Sequence, residues 1–237
     1  MLKPFAPPVP WDEKAKPPHM GVGHWGRESS FGRVHGRRRE GVVVSSGILD
    51  GLRVLGFDLE TTGFNPREDR VVQFALVGSD SDGSHLNLNS LIDPGCRIPS
   101  VTSEVHGIWD DDVRDAGSFE EHIDSMVELI DGSVIVGHNV VAFDWRFMEM
   151  ECIRIGREAP QPLAIVDTLV LARRFSVPGR HKLGLLCKRF GIGLERSHSA
   201  DADAGATLLL LWKFMRAYPD EFDGTLEEVL DSIGSRL

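Results

Sequence analysis

Three short stretches of this chain carry acids and a histidine at spacings that can do chemistry together. Asp58 and Glu60 lie in Phe57-Asp58-Leu59-Glu60-Thr61-Thr62-Gly63, and Asp144 closes His138-Asn139-Val140-Val141-Ala142-Phe143-Asp144. His198 and Asp203 lie in His198-Ser199-Ala200-Asp201-Ala202-Asp203-Ala204. On an expected strand, Asp58 and Glu60 alternate with Leu59, so both carboxylates share one face. Neighbouring carboxylates in a core-like strand repel each other and resist desolvation unless a cation neutralises them. Hard oxygen donors with room for substrate phosphates suit magnesium or manganese. An edge strand with solvated acids is the bland alternative, and the apolar flank Val54-Leu55-Gly56-Phe57 speaks against it. The pattern therefore points to two-metal phosphodiester chemistry.

Taken singly, the other pieces are ordinary. Asp144 alone would be an acid complementing the start of a helix. His138 alone would be structural more often than a ligand, and His198 alone would be a surface loop residue. Asp201 reads as a solvated neighbour of the motif. Thr61-Thr62-Gly63 breaks the strand and offers amides and hydroxyls to the end of a substrate.

The elements that must position these residues follow from periodicity. Residues 52–59, 71–77 and 86–92 read as three strands, the third half-exposed. Pro94-Gly95 ends it. Ser118 and Glu121 form a capping box ahead of apolar Ile123, Met126, Val127 and Ile130. Residues 133–136 form a short apolar strand and 142–155 a helix. Further helices start at Asp167, span 182–190, run over 200–217, and begin at the Thr225 and Glu228 cap. The small residues Ser199, Ala200, Ala202 and Ala204 let the long helix approach the sheet closely. The expected class is α/β, a mixed sheet flanked by helices.

Three motifs in this order resemble the DnaQ-like 3′–5′ exonucleases, the DEDDh group of the ribonuclease H-like fold. The likeness covers about residues 50–218. It extends to Val105-His106-Gly107-Ile108, Asp167-Thr168-Leu169 and His181-Lys182-Leu183 with Phe190-Gly191-Ile192, which resemble secondary signatures of the polymerase III epsilon-like branch. The resemblance implies that Asp58, Glu60 and Asp203 hold one Mg2+ or Mn2+ ion. Asp58 would bridge to a second, with Asp144 in or near the shell. It implies His198 as general base, a role suited to its near-neutral intrinsic pKa. It also implies Leu59, His106 and Phe143 around the terminal base and Thr62 near the 3′ hydroxyl. For Phe143, plain core packing is the competing reading.

The implied substrate is a single-stranded DNA or RNA 3′ end. A stand-alone repair or processing nuclease is preferred. A polymerase-bound proofreading subunit would use a Gln-x-x-Leu/Met-Phe clamp motif, and Gln73 and Gln161 do not supply one. A short-oligonucleotide phosphodiesterase and a silent nucleic-acid-binding module remain as rivals. A DNA polymerase or repair protein is the expected protein partner.

The 237 residues are 41% hydrophobic and carry a net charge of −10, so bulk charge gives no nucleic-acid footprint. Residues 1–49 hold eight Lys/Arg against four Asp/Glu, leaving 18 against 32 in the rest. The first 49 residues, rich in Pro, Gly and Arg, read as an unfolded arm ahead of a domain over 50–237. Trp11, Trp25 and Phe31 among basic residues keep a nucleic-acid role open for that arm. Cys96, Cys152 and Cys187 are widely spaced and suggest neither disulfides nor zinc. No signal peptide or spanning segment is evident, and a cytoplasmic setting is expected.

Overall fold

The computed structural model describes residues 47–194 and 199–235. Most of the expected arm and His198 lie outside the described residues. Within them, Ile48 and Leu49 already pack against the core.

A mixed sheet is built around the strand that carries Asp58 and Glu60. That strand, β1 (Val54–Thr61), pairs antiparallel with β2 (Val71–Ser79), which pairs antiparallel with β3 (His85–Leu91). On its other side β1 runs parallel to β4 (Val134–Gly137), followed by parallel β5 (Ala164–Asp167) and the two-residue antiparallel β6 (Gly234–Ser235). The order is β3-β2-β1-β4-β5-β6.

Alternation along β1 decides what each face does. Leu55, Phe57 and Leu59 enter one core layer. There they meet α3 (Phe119–Ile130) and α4 (Asp144–Arg154) through Ile123, Met126, Trp145 and Met148. Gly56, Asp58 and Glu60 face the opposite way, toward α7 (Ala200–Ala217). On that side Val134, Val136 and Val166 pack with α5 (Thr168–Arg174), α6 (Leu183–Arg189), α7 and α8 (Leu226–Ile233). Two short helices, α1 (Ser100–His106) and α2 (Asp110–Val113), lie between β3 and α3 in the chain.

The close approach of α7 to β1 has a specific cause. A Cβ built on Gly56 would stand 2.2 Å from the Ala204 carbonyl oxygen, so only glycine fits beneath this turn of the helix. Ala75, Ala200 and Ala204 form a small-residue contact beside it. The expected proximity of the 200–204 segment to the sheet is observed.

Candidate active site

Past Gly56 the two central parallel strands part. β1 and β4 pair only over Val54–Gly56 and Val134–Val136. A gap therefore opens at the carboxyl ends of the strands, the usual place for a site in an open α/β sheet. Asp58 and Glu60 stand on the β1 side of it.

Asp203, in the first turn of α7, completes a cluster. One carboxylate oxygen from each of Asp58, Glu60 and Asp203 lies within 4.8 Å of the other two. The position of Asp203 near a helix N-terminus favours its charge. Nothing comparable helps Asp58. Burial, then the neighbouring charges of Asp144, Glu60 and Asp203, hold its pKa well above the ordinary range. Glu60 is pushed up to about 7 by burial and by Asp203. Carboxylates crowded together in a partly buried site, two of them pushed toward their neutral forms, make a cation-demanding donor set. The set is all oxygen and half-buried, so the residues present fit a hard divalent ion.

Asp144 joins the cluster from α4 on the other side of the sheet. Its Oδ1 accepts from the Leu59 N–H at 3.0 Å, a donor left without a strand partner where β1 and β4 separate. Asp144 is 3% exposed, and burial pushes its pKa up to about 8, opposed by the Leu59 bond and reinforced by Glu60. The structure thus brings together all four sequence-identified acids, three as a ligand-like triad and the fourth tied to the same strand.

The loop leading into α4 is held by residues of the next strand and helix. Asn139 takes a left-handed φ of 65°, and its N–H donates to Asp167 Oδ1 at 2.9 Å. The other Asp167 oxygen accepts from Val141 N, while Oδ1 also accepts from Leu169 N as the cap of α5. His138 is committed to the frame. Its Nε2 lies 2.8 Å from the His181 carbonyl and its Nδ1 2.9 Å from the Thr168 hydroxyl, with burial lowering its pKa.

The expected substrate-side residues divide. Phe143 is half-buried in a ladder of rings, 5.1 Å from Phe147 and 6.2 Å from Phe64 between centroids. Leu59 turns its side chain into the core and is 4% exposed. The Thr61 hydroxyl donates to Gly63 O, and the Thr62 hydroxyl donates to Asp69 and accepts from Arg70 N. Both threonines thereby shape the turn after β1. His106 ends α1, its Nδ1 accepting from Ile108 N at 3.1 Å.

Two features escaped sequence reasoning. Phe64 is 85% exposed at the head of the aromatic ladder, and its only cue was its place directly after Thr61-Thr62-Gly63. Glu151, on the buried side of α4, accepts from Arg70 Nε at 2.9 Å and Nη2 at 3.1 Å, and from Val71 N at 3.2 Å. This pair ties α4 to the start of β2. A charged residue in an apolar stripe was its signal.

The sheet and its flanking helices have a ribonuclease H-like arrangement, with an acidic cluster that fits a divalent cation. An exonuclease family model, RNase T, matches residues 55–211, and the chain belongs to that family. Among relatives, the PolC-type DNA polymerase III of Lactococcus lactis is 37% identical over 161 residues, which are 67% of this chain and 10% of that protein. That of Streptococcus suis is 34% identical over 171 residues, 71% of this chain and 12% of that protein. The chain thus spans about a tenth of the length of these relatives. E. coli exonuclease I in complex with a dT13 oligonucleotide shares the fold at a TM-score of 0.63 and 22% identity, over 72% of this chain and 42% of that one. Exonuclease X in complex with 5′ overhanging duplex DNA shares it at 0.56 and 22%, over 76% and 99%.

Proposed function

We propose that the domain is a 3′–5′ exonuclease acting on single-stranded nucleic-acid ends and releasing nucleoside 5′-monophosphates. The observation that carries this reading is the convergence of Asp58, Glu60 and Asp203 oxygens within 4.8 Å at the open end of the sheet. When bound, a pair of Mg2+ or Mn2+ ions stabilises the attacking and leaving oxygens. Asp58, Glu60 and Asp203 would hold them, and Asp144, fixed by the Leu59 N–H, completes the acidic lining. His198, which precedes α7 in the chain, accepts the proton of the attacking water. The water oxygen forms the new bond to phosphorus, the bond to the 3′ oxygen breaks, and that oxygen leaves with the shortened strand. Phe143 and the exposed Phe64 seat the terminal base, which any aromatic face can do without sequence preference.

The PolC-type relatives support a second reading, in which the domain proofreads for a polymerase. A stand-alone processing nuclease remains the preferred one. The test is product analysis on matched single-stranded DNA and RNA with Mg2+ or Mn2+. Mononucleotides bearing 5′-phosphates are expected from the first minutes; internal fragments or 3′-phosphates contradict the proposal. Faster removal of a mismatched 3′ nucleotide only when a polymerase is present would favour proofreading.

A further inference from the structure

An open groove of about 910 Å³ lies on the outer side of α4. Its wall is a helical stripe. Arg146, Met150, Ile153 and Arg157 stand at intervals of three or four residues along one side of α4 and the turn after it. Pro66 and Arg67 of the β1–β2 connection form the facing edge. That edge is fastened to α4, because Arg154 donates to the Pro66 carbonyl at 2.6 Å while pairing with buried Glu151.

The charges along this groove are only partly neutralised. The Arg67 guanidinium has no ion pair or hydrogen bond among the described residues. Arg146 pairs with Glu149 through one nitrogen and Arg157 with Asp124, yet both side chains are about half-exposed. Glu149 and Glu158 also line the groove, so its attraction rests on the arginines' spare donors rather than on a large net charge. Ile153, 66% exposed between Arg146 and Arg157, adds an apolar strip against which sugars can lie.

The groove is continuous in sequence with the site at both walls. Arg146 follows Asp144 by two residues, and Arg67 lies three residues after Phe64. From Arg146 to Arg154 helix α4 covers about 12 Å, and Arg157 follows past the left-handed Gly156 that ends it, so the row spans more than one phosphate of a strand. Residues 50–237 hold 18 basic against 32 acidic groups, so exposed arginines in one row stand out from the surface around them.

We infer that this groove holds the phosphate backbone of the substrate strand beyond the nucleotide being removed, with Arg67, Arg146 and Arg157 as the phosphate-binding groups. The inference rests on the exonuclease reading for the identity of the strand. It assigns to the domain a length preference that the acid cluster alone does not provide.

The test is the triple variant Arg67→Gln, Arg146→Gln, Arg157→Gln in the full chain, with its melting temperature checked against the parent. Affinity for a fluorescent 15-nucleotide single strand is measured in EDTA, and hydrolysis of that strand and of a dinucleotide is measured with Mg2+. The variant is expected to bind the long strand about tenfold or more weakly. Its salt slope should drop by about one for each arginine neutralised. KM should rise on the long strand with kcat kept, and dinucleotide turnover should not change. Equal affinity and equal salt slope overturn the inference, and so does an equal loss of turnover on the dinucleotide and the long strand. A parent protein that binds the strand through these arginines yet cleaves nothing with Mg2+ supports the groove and overturns the exonuclease reading instead.

Discussion

Glu60 is the residue whose ionisation reports most directly on the cluster. Its pKa is raised from an ordinary 4.5 to about 7, so the metal-free fold prefers the protonated form. The stabilisation this gives is fully present below pH 4.5 and is lost as pH rises through 7. In EDTA, the melting temperature of the parent should therefore fall relative to Glu60→Gln between pH 5 and pH 8, and saturating Mn2+ should reverse the gap. A difference that stays constant over that range would contradict the assigned repulsion. Asp58→Ala should abolish turnover while leaving or raising stability, because it removes one of the crowded acids; unfolding with metal-dependent activity intact would speak against its role. His198→Ala should lower kcat by about 10²–10⁴ at unchanged metal affinity, the scale for a lost positioned base. The four acids were readable because strand alternation and short motifs place them without knowledge of long-range packing. Glu151 was not, because its partner Arg70 lies 81 positions away and only the packed fold shows that they meet.

At the level of elements, two contacts set the position of the cluster. Gly56→Ala should push α7 off β1, since the added methyl meets the Ala204 carbonyl at 2.2 Å. The expected result is a lower melting temperature together with a loss of activity that excess Mn2+ only partly restores; wild-type kinetics in this variant would show that α7 can shift without moving Asp203. Glu151→Ala leaves Arg70 and the Val71 N–H without their shared acceptor, and should cost about 3–5 kcal/mol in denaturant unfolding. A cost near zero would mean that the pair is well replaced by water. Helix α7 was legible to the residue, and the box of Ser118 with Glu121 does cap α3, because capping and small-residue patterns are local. The strand Ala164–Asp167 escaped notice since all four of its residues are buried, which erases the period-two alternation that marks a strand. Helix α1 escaped for the converse reason: Val101 and Val105 point to solvent, so it presents no apolar stripe to the core.

For the whole molecule, the sheet order β3-β2-β1-β4-β5-β6 explains why residues from three distant stretches share one gap. Local pattern named the mixed sheet with flanking helices; membership of the exonuclease family, shown over residues 55–211, agrees with it. Among the described residues no helix is long and apolar enough to cross a membrane. The proposed chemistry requires that carboxylates which otherwise repel one another hold divalent cations. Calorimetric titration of Mn2+ at pH 7.5 into the parent and into Asp203→Asn tests it directly. Saturable binding is predicted for the parent, with affinity lower by about tenfold or more in the variant, the scale on which altering a metal's surroundings acts. Equal binding curves for the two proteins, or none for the parent, would contradict it.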